Sequence, residues 1–305
     1  MKRLLDCRAS EIQNISSSEL LEAIAKSEGR ILASEVICSL QPLLGDISNA
    51  ELAASMGADL LILNMFNVDK PEVKGIPKCE PEQTIKFLKR LIGRPVGINL
   101  EPVAEVLDKD NQLWQFSEGR RATVTNVHKA QQMGVDFVVL TGNPGIGVTN
   151  EAILTTIRQI KRELDQDMLL IAGKMHASGI AYESGEKLIT PELVQDFCLA
   201  GADIVLVPAP GTVPGITMEY VKQLVDIAHR HQKLVMTAIG TSQEGATVAT
   251  IREIALLSKM AGADLHHIGD TGYPGIALPE NIMEYSKVIR GVRHTYRRMA
   301  SSVLR

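Results

Sequence analysis

The segment LLIAGKMHASG, residues 169–179, runs from aliphatic residues directly into Lys174 and His176. A lysine amine whose pKa is lowered by burial can form a Schiff base with a carbonyl or act as a general base, and a neighbouring imidazole can relay protons. Side chains two apart on a strand share a face, so if Leu170 and Ala172 face a core, Lys174 and His176 face it too. Other short apolar runs end in the same way: Asn99 and Glu101 share a face in GRPVGINLEP, Thr141 and Asn143 share one in VVLTGN, and Glu35, Asn64 and Asp270 close three more. Glu101 is then a second candidate proton relay, while Asn99, Thr141 and Asn143 suit orientation of a carbonyl and stabilisation of enolate charge. The alternative to an iminium is a divalent ion such as magnesium, with Glu35, Glu101 and Asp270 as candidate ligands. Against both stands the plain structural role, a buried lysine neutralised by a carboxylate.

Two glycine-rich stretches, AIGTSQEGAT and HIGDTGYPGI, add a binding signal. Gly240, Thr241, Ser242, Gly269, Thr271 and Gly272 offer close backbone approach and hydroxyl donors to a phosphate or carboxylate, while Asp270 opposes it with its own charge. His266 and His267 are adjacent and must point to opposite faces. Two long segments, FNVDKPEVKGIPKCEPE and EVLDKDNQLWQFSEGRR, have the length of lids, and the second carries Trp114, Phe116, Arg120 and Arg121.

These residues need elements to hold them, and the chain repeats one phrase four times: SMGADLLILNM, QMGVDFVVLTG, LAGADIVLVPA and MAGADLHHIGD. Each reads as a helix end stopped by a left-handed glycine, an aspartate in the turn, and a strand buried on both faces. Four further apolar runs alternate with them: GRILASEVI, GRPVGINLEP, DMLLIAGKMH and QKLVMTAIGTS. Helical patterns separate all eight, which predicts parallel pairing, right-handed crossovers and a (β/α)8 TIM barrel whose site lies at the carboxyl ends of the strands. An open doubly wound sheet lacks its GxGxxG fingerprint here. Residues 1–28, with SSSELLEAIAKSEG, predict a short helical extension that packs on the barrel bottom, and residues 29–305 the barrel, in one domain.

The chain has 305 residues, 45% of them hydrophobic, and a formal charge of −4. No basic stripe dominates, which speaks against a nucleic-acid or anionic-membrane binder and for a small anionic metabolite as partner. The arginines of the last helix read as a solvated face or a subunit contact, and a homo-oligomer, most simply a dimer, is expected. Four scattered cysteines without a CxxC pair, a charged N-terminal stretch and no apolar run of membrane-spanning length predict a cytoplasmic protein.

The phrases LLGDISNAELAASMGADLLILNMF and GRPVGINLEP resemble a family of bacterial barrel proteins labelled phosphoenolpyruvate phosphonomutase-like, some of which also carry a haloacid dehalogenase-like label. The resemblance implies the barrel. The haloacid label does not fit, since no DxDx(T/V) motif follows an N-terminal strand. The acidic DxDxG signature and the cysteine-containing loop of the phosphonomutase and isocitrate-lyase superfamily also have no counterpart. The resemblance leaves the reaction open, and the strand-end residues themselves lead to the expected function, a lyase or isomerase acting on a small phosphorylated or carboxylated metabolite. The competing expectation is a barrel that binds an anionic metabolite and regulates or scaffolds a partner without catalysis.

Overall fold

The computed structural model describes residues 2–103, 116–164, 168–179 and 184–305. Eight strands, β1 (Ile31–Ile37), β2 (Leu60–Asn64), β3 (Val96–Leu100), β4 (Phe137–Leu140), β5 (Leu169–Gly173), β6 (Ile204–Pro208), β7 (Leu234–Ile239) and β8 (Leu265–Ile268), pair in parallel in chain order and close between β8 and β1. This is the (β/α)8 barrel. Two short helices, α1 (Ala9–Ile12) and α2 (Ser17–Ala25), precede it, and α2 opens on a Ser16/Glu19 capping box. The outer layer comprises α3 (Asn49–Ser55), α4 (Thr84–Ile92), α5 (Val124–Met133), α6 (Asn150–Glu163), α7 (Pro191–Ala200), α8 (Met218–Arg230), α9 (Val248–Met260) and α10 (Pro279–Ala300), the last broken at Gly291. No helix among the described residues is long and apolar enough to cross a membrane.

Strand alternation sorts the apolar residues into two layers. Leu32, Leu61, Val138, Leu170 and Val205 pack outward against the helices. Ile31, Ala33, Ile62, Phe137, Ile171, Leu206 and Leu265 fill the interior and share one cluster with Leu4, Ile12, Leu20 and Ile24. The N-terminal extension is therefore the plug at the bottom of the barrel, and each buried leucine or isoleucine stabilises it by roughly 1.5–3 kcal/mol. Gly97 is part of the same fit: a Cβ there would lie 2.2 Å from the ring of Phe137, which fills its space.

The fourfold phrase has a structural reason beyond its turn. Its glycines, Gly57, Gly134, Gly201 and Gly262, all adopt positive φ and stop their helices. The aspartate that follows then clasps the preceding strand. Asp59 accepts from Leu32 N at 2.9 Å, Asp136 from Val96 N at 2.8 Å, Asp203 from Leu170 N at 2.9 Å and Asp264 from Val235 N at 2.8 Å. The amide of each aspartate donates back to the carbonyl of that same residue. A cation from a helix end completes each clasp: Lys89 on Asp136 at 2.6 Å, Lys161 on Asp203 at 2.8 Å, His229 on Asp264 at 2.8 Å, and Arg290 with Arg298 on Asp59. Four aspartates thus stitch odd strands to even ones around the bottom of the barrel.

Candidate active site

At the opposite end, the carboxyl ends of the strands surround a cavity of about 180 Å³. Alternation along β1, β2, β3 and β4 brings Glu35, Asn64, Asn99, Glu101 and Thr141 to its wall, and His176, Asn143, Gly240, Gly269 and Asp270 reach it from the turns beyond their strands. Ten of the fifteen candidates therefore meet in one place. Lys174, Thr241, Ser242, Thr271 and Gly272 are not part of the wall.

Lys174 keeps the alternation of β5, but the face it shares with Leu170 and Ala172 is the outer one. Strand β5 ends at Gly173, where a Cβ would lie 1.9 Å from the carbonyl oxygen of Leu206, and Leu170 and Ala172 belong to the outer layer. Met175 turns inward instead, joins the interior cluster, and sets its sulfur 2.1 Å from where a Gly240 Cβ would be. Lys174 is left buried behind the wall, 1% exposed. His176 lines the cavity with Nδ1 2.9 Å from Ser178 Oγ. Burial pushes its pKa down, Glu35 pulls it up and Lys174 pushes it down again, so the ring is held towards its neutral form.

One side of the cavity is acidic. His267 Nε2 lies 2.9 Å from Glu35 Oε2, both residues buried. Asp270 accepts from Asn64 Nδ2 at 2.8 Å and from Gly272 N at 2.9 Å. Burial, and next the charge of Glu35, push its carboxyl up to about 6, against the pull of those two donors. Glu244, from the short turn Gln243–Gly245, also lines this side, and burial raises its pKa. On the other side Arg120 donates to Glu101 Oε1 at 2.6 Å, and the Glu101 carboxyl is nevertheless raised by burial. Four oxygens in the wall have no hydrogen-bond partner: Asn99 Oδ1, Glu101 Oε2, Thr141 Oγ1 and Glu244 Oε2.

The glycine loops are occupied with their own geometry. Gly269 N donates to Ile239 O, Gly245 N to Ser242 O, and Gly272 N to Asp270. Thr241 Oγ1 donates to Thr212 O at 2.7 Å, and Ser242 sits in the left-handed region at φ 77°. These three amides and the Thr241 hydroxyl are bonded within the protein, Ser242 is exposed, Thr271 Oγ1 is buried without a partner, and of the glycine-loop candidates named above only Gly240, Gly269 and Asp270 touch the cavity. The metal candidates are similarly engaged: Glu35 by His267, Glu101 by Arg120, Asp270 by Asn64. No three His, Cys, Asp or Glu side chains among the described residues gather as a metal-holding group. The carboxylates thus do not fit a preassembled divalent site among the described residues.

Three contributors were not singled out as site residues by the sequence. Arg120 comes from the proposed lid, returned to the barrel by backbone bonds between Glu101 and the 120–122 segment, while Trp114 of that lid lies outside the described residues. Glu244 is a lone charge in a tight glycine-rich loop, which is a usable signal. His267 is the inward member of the histidine pair; His266 faces the helices, near Thr237, Tyr285 and the carbonyl of Gly29.

Residues 5–305 match the family model described as a domain of unknown function, DUF7916. The chain belongs to that family. No curated protein matches its sequence. Among solved structures, an archaeal fructose 1,6-bisphosphate aldolase is similar with a TM-score of 0.57 at 13% identity, over 90% of this chain and 98% of that one. A Schiff base forming fructose-1,6-bisphosphate aldolase gives 0.55 at 14%, over 90% and 99%. The carboxyl transferase domain of Rhizobium etli pyruvate carboxylase, in a structure with pyruvate, gives 0.55 at 12%, over 97% of this chain and 53% of that one. At such identities the likeness shows the barrel of this DUF7916 chain and nothing finer.

Proposed function

We propose that the protein is an enzyme of the lyase or isomerase type that moves protons on a small carboxylated or phosphorylated metabolite held in the strand-end cavity. The observation that carries this is the convergence of Glu35, His176 and Asp270 on one cavity, with Glu35 bonded to His267, His176 held towards its neutral form by burial and the Asp270 carboxyl pushed up by burial. In this reading Asp270 is the acid, since its raised pKa keeps a proton available near neutral pH. Glu35, steadied by His267, or the neutral imidazole of His176 is the base. Asn99, Thr141 and Asn143 orient the reacting carbonyl and take up developing enolate charge. The size of the cavity suits a small metabolite, about 180 Å³ against the ~300–1,000 Å³ of sites for drug-sized ligands.

The test is solvent-deuterium incorporation, followed by proton NMR, across a panel of small keto, hydroxy and amino acids and sugar phosphates. Wild type is expected to exchange a carbon-bound proton of at least one member, and Glu35→Gln or Asp270→Asn to lower that rate about 10²–10⁴-fold. Borohydride trapping run in parallel separates the Schiff-base route: a covalent adduct at Lys174 would transfer the central role to that amine. No exchange and no adduct with any member would leave the regulator or scaffold alternative.

A further inference from the structure

The unpartnered atoms of the cavity have a common chemistry. Asn64 Oδ1 accepts from Met65 N at 2.8 Å, which turns Asn64 Nδ2 to Asp270 and presents Asn64 Oδ1 to Asn99 Nδ2 at 3.5 Å. That chain leaves Asn99 Oδ1 as an acceptor. The other two buried orphans with fixed roles, Glu101 Oε2 and Glu244 Oε2, are carboxylate oxygens, and all three residues are at most 7% exposed. A ligand that completes this wall must bring donors. The charges point the same way. Glu35, Glu101, Glu244 and Asp270 line the cavity, whereas the arginine in its wall is already bonded to Glu101, and His176 is held towards neutrality.

We propose that the inner cavity receives an ammonium group, so that the substrate is an amino-bearing metabolite whose nitrogen donates to the free oxygens of Glu244, Glu101 or Asn99. This rests on the cavity being the substrate site and deepens that reading by naming the substrate's cationic part. An ammonium supplies donors and a positive charge, which the lone acceptors of this acidic wall lack. A phosphate at the same depth would bring negative charge to carboxylates that already repel one another: after burial, the charge of Glu35 also raises both Asp270 and Glu244.

The test is a thermal-shift and calorimetric comparison on the full-length wild-type chain at constant ionic strength. The probes are ethanolamine, ethylene glycol, tetramethylammonium, inorganic phosphate and magnesium. Ethanolamine is expected to bind at least tenfold more tightly than each of the others, and Glu244→Gln to remove most of that preference. Equal binding of ethylene glycol would overturn the proposal in favour of a neutral polyol. Equal binding of tetramethylammonium would overturn it by showing charge recognition without donation, and stronger phosphate or magnesium binding would reverse it outright. The wild-type probe series decides even if the variant fails to fold. Amine binding without proton exchange would sink the catalytic reading alone, whereas exchange on amine-free substrates without amine binding would sink only this inference.

Discussion

The two ends of the barrel each carry four carboxylates, and they are used in opposite ways. At the bottom, Asp59, Asp136, Asp203 and Asp264 each accept a strand amide and meet a cation from a helix end. At the top, Glu35, Glu101, Glu244 and Asp270 share one cavity, and two of them keep an oxygen without a partner. Burial alone does not separate the ends, since it also raises the Asp136 carboxyl. Partners do: a satisfied carboxylate fixes structure, while an incompletely satisfied one beside other acids is available to a ligand or a proton.

Removing the bottom set should damage stability most. Asp59→Asn leaves Arg290 and Arg298 charged and buried, and a loss of about 3–5 kcal/mol is expected from urea unfolding. The cost should decline along Asp136→Asn and Asp203→Asn to Asp264→Asn, because the cationic partner becomes steadily more exposed, from 9% for Lys89 through 21% for Lys161 to 41% for His229. An equal loss at all four positions would show that the strand-amide bond, and not the ion pair, sets the energy.

The top set should show the reverse sign. The Asp270 carboxyl is raised from 3.8 to about 6, so the folded state holds its proton more tightly than the unfolded one. That contribution is fully present below about pH 4 and is lost as pH rises through about 6, at most about 3 kcal/mol. Glu244 and Glu101, also raised, titrate in the same sense. Unfolding measured from pH 4 to 7 should therefore give a smaller loss of stability for Asp270→Asn than for wild type. A steeper loss in the variant would contradict the raised pKa.

Between the two ends lies the dry interior layer, where shape alone matters. Gly97→Ala pushes a methyl into the Phe137 ring and should destabilise by about 1–3 kcal/mol without altering the pH profile. Adding Phe137→Leu should recover part of that loss. No recovery would mean that the backbone of β3, and not the ring, resists the methyl.

Much of this molecule was legible from local pattern. The glycine stop, the aspartate and the apolar run recur at four places, and a helix end is decided by residues next to one another. Strand alternation likewise placed Glu35, Asn64, Asn99, Glu101 and Thr141 on the inner face before any coordinates. It grouped Lys174 with Leu170 and Ala172, and that shared face packs outward against the helices, so the lysine does not line the cavity. Which groups of the glycine loops face the cavity was not legible, since an amide that bonds within its own loop looks no different in sequence from one that faces a ligand.

What the sequence determined by itself was the count and order of the strands, their inward polar ends and the points where helices stop, because those depend on near neighbours and on a period of two. Only the tertiary structure decided the pairings. Asp59 reaches Leu32, Arg290 reaches Asp59, His267 meets Glu35 across the β8–β1 closure, and Arg120 and Glu244 enter the cavity from loops. Each of these contacts joins residues distant in the chain, and their partners are set by barrel closure and loop path, which no local spacing encodes.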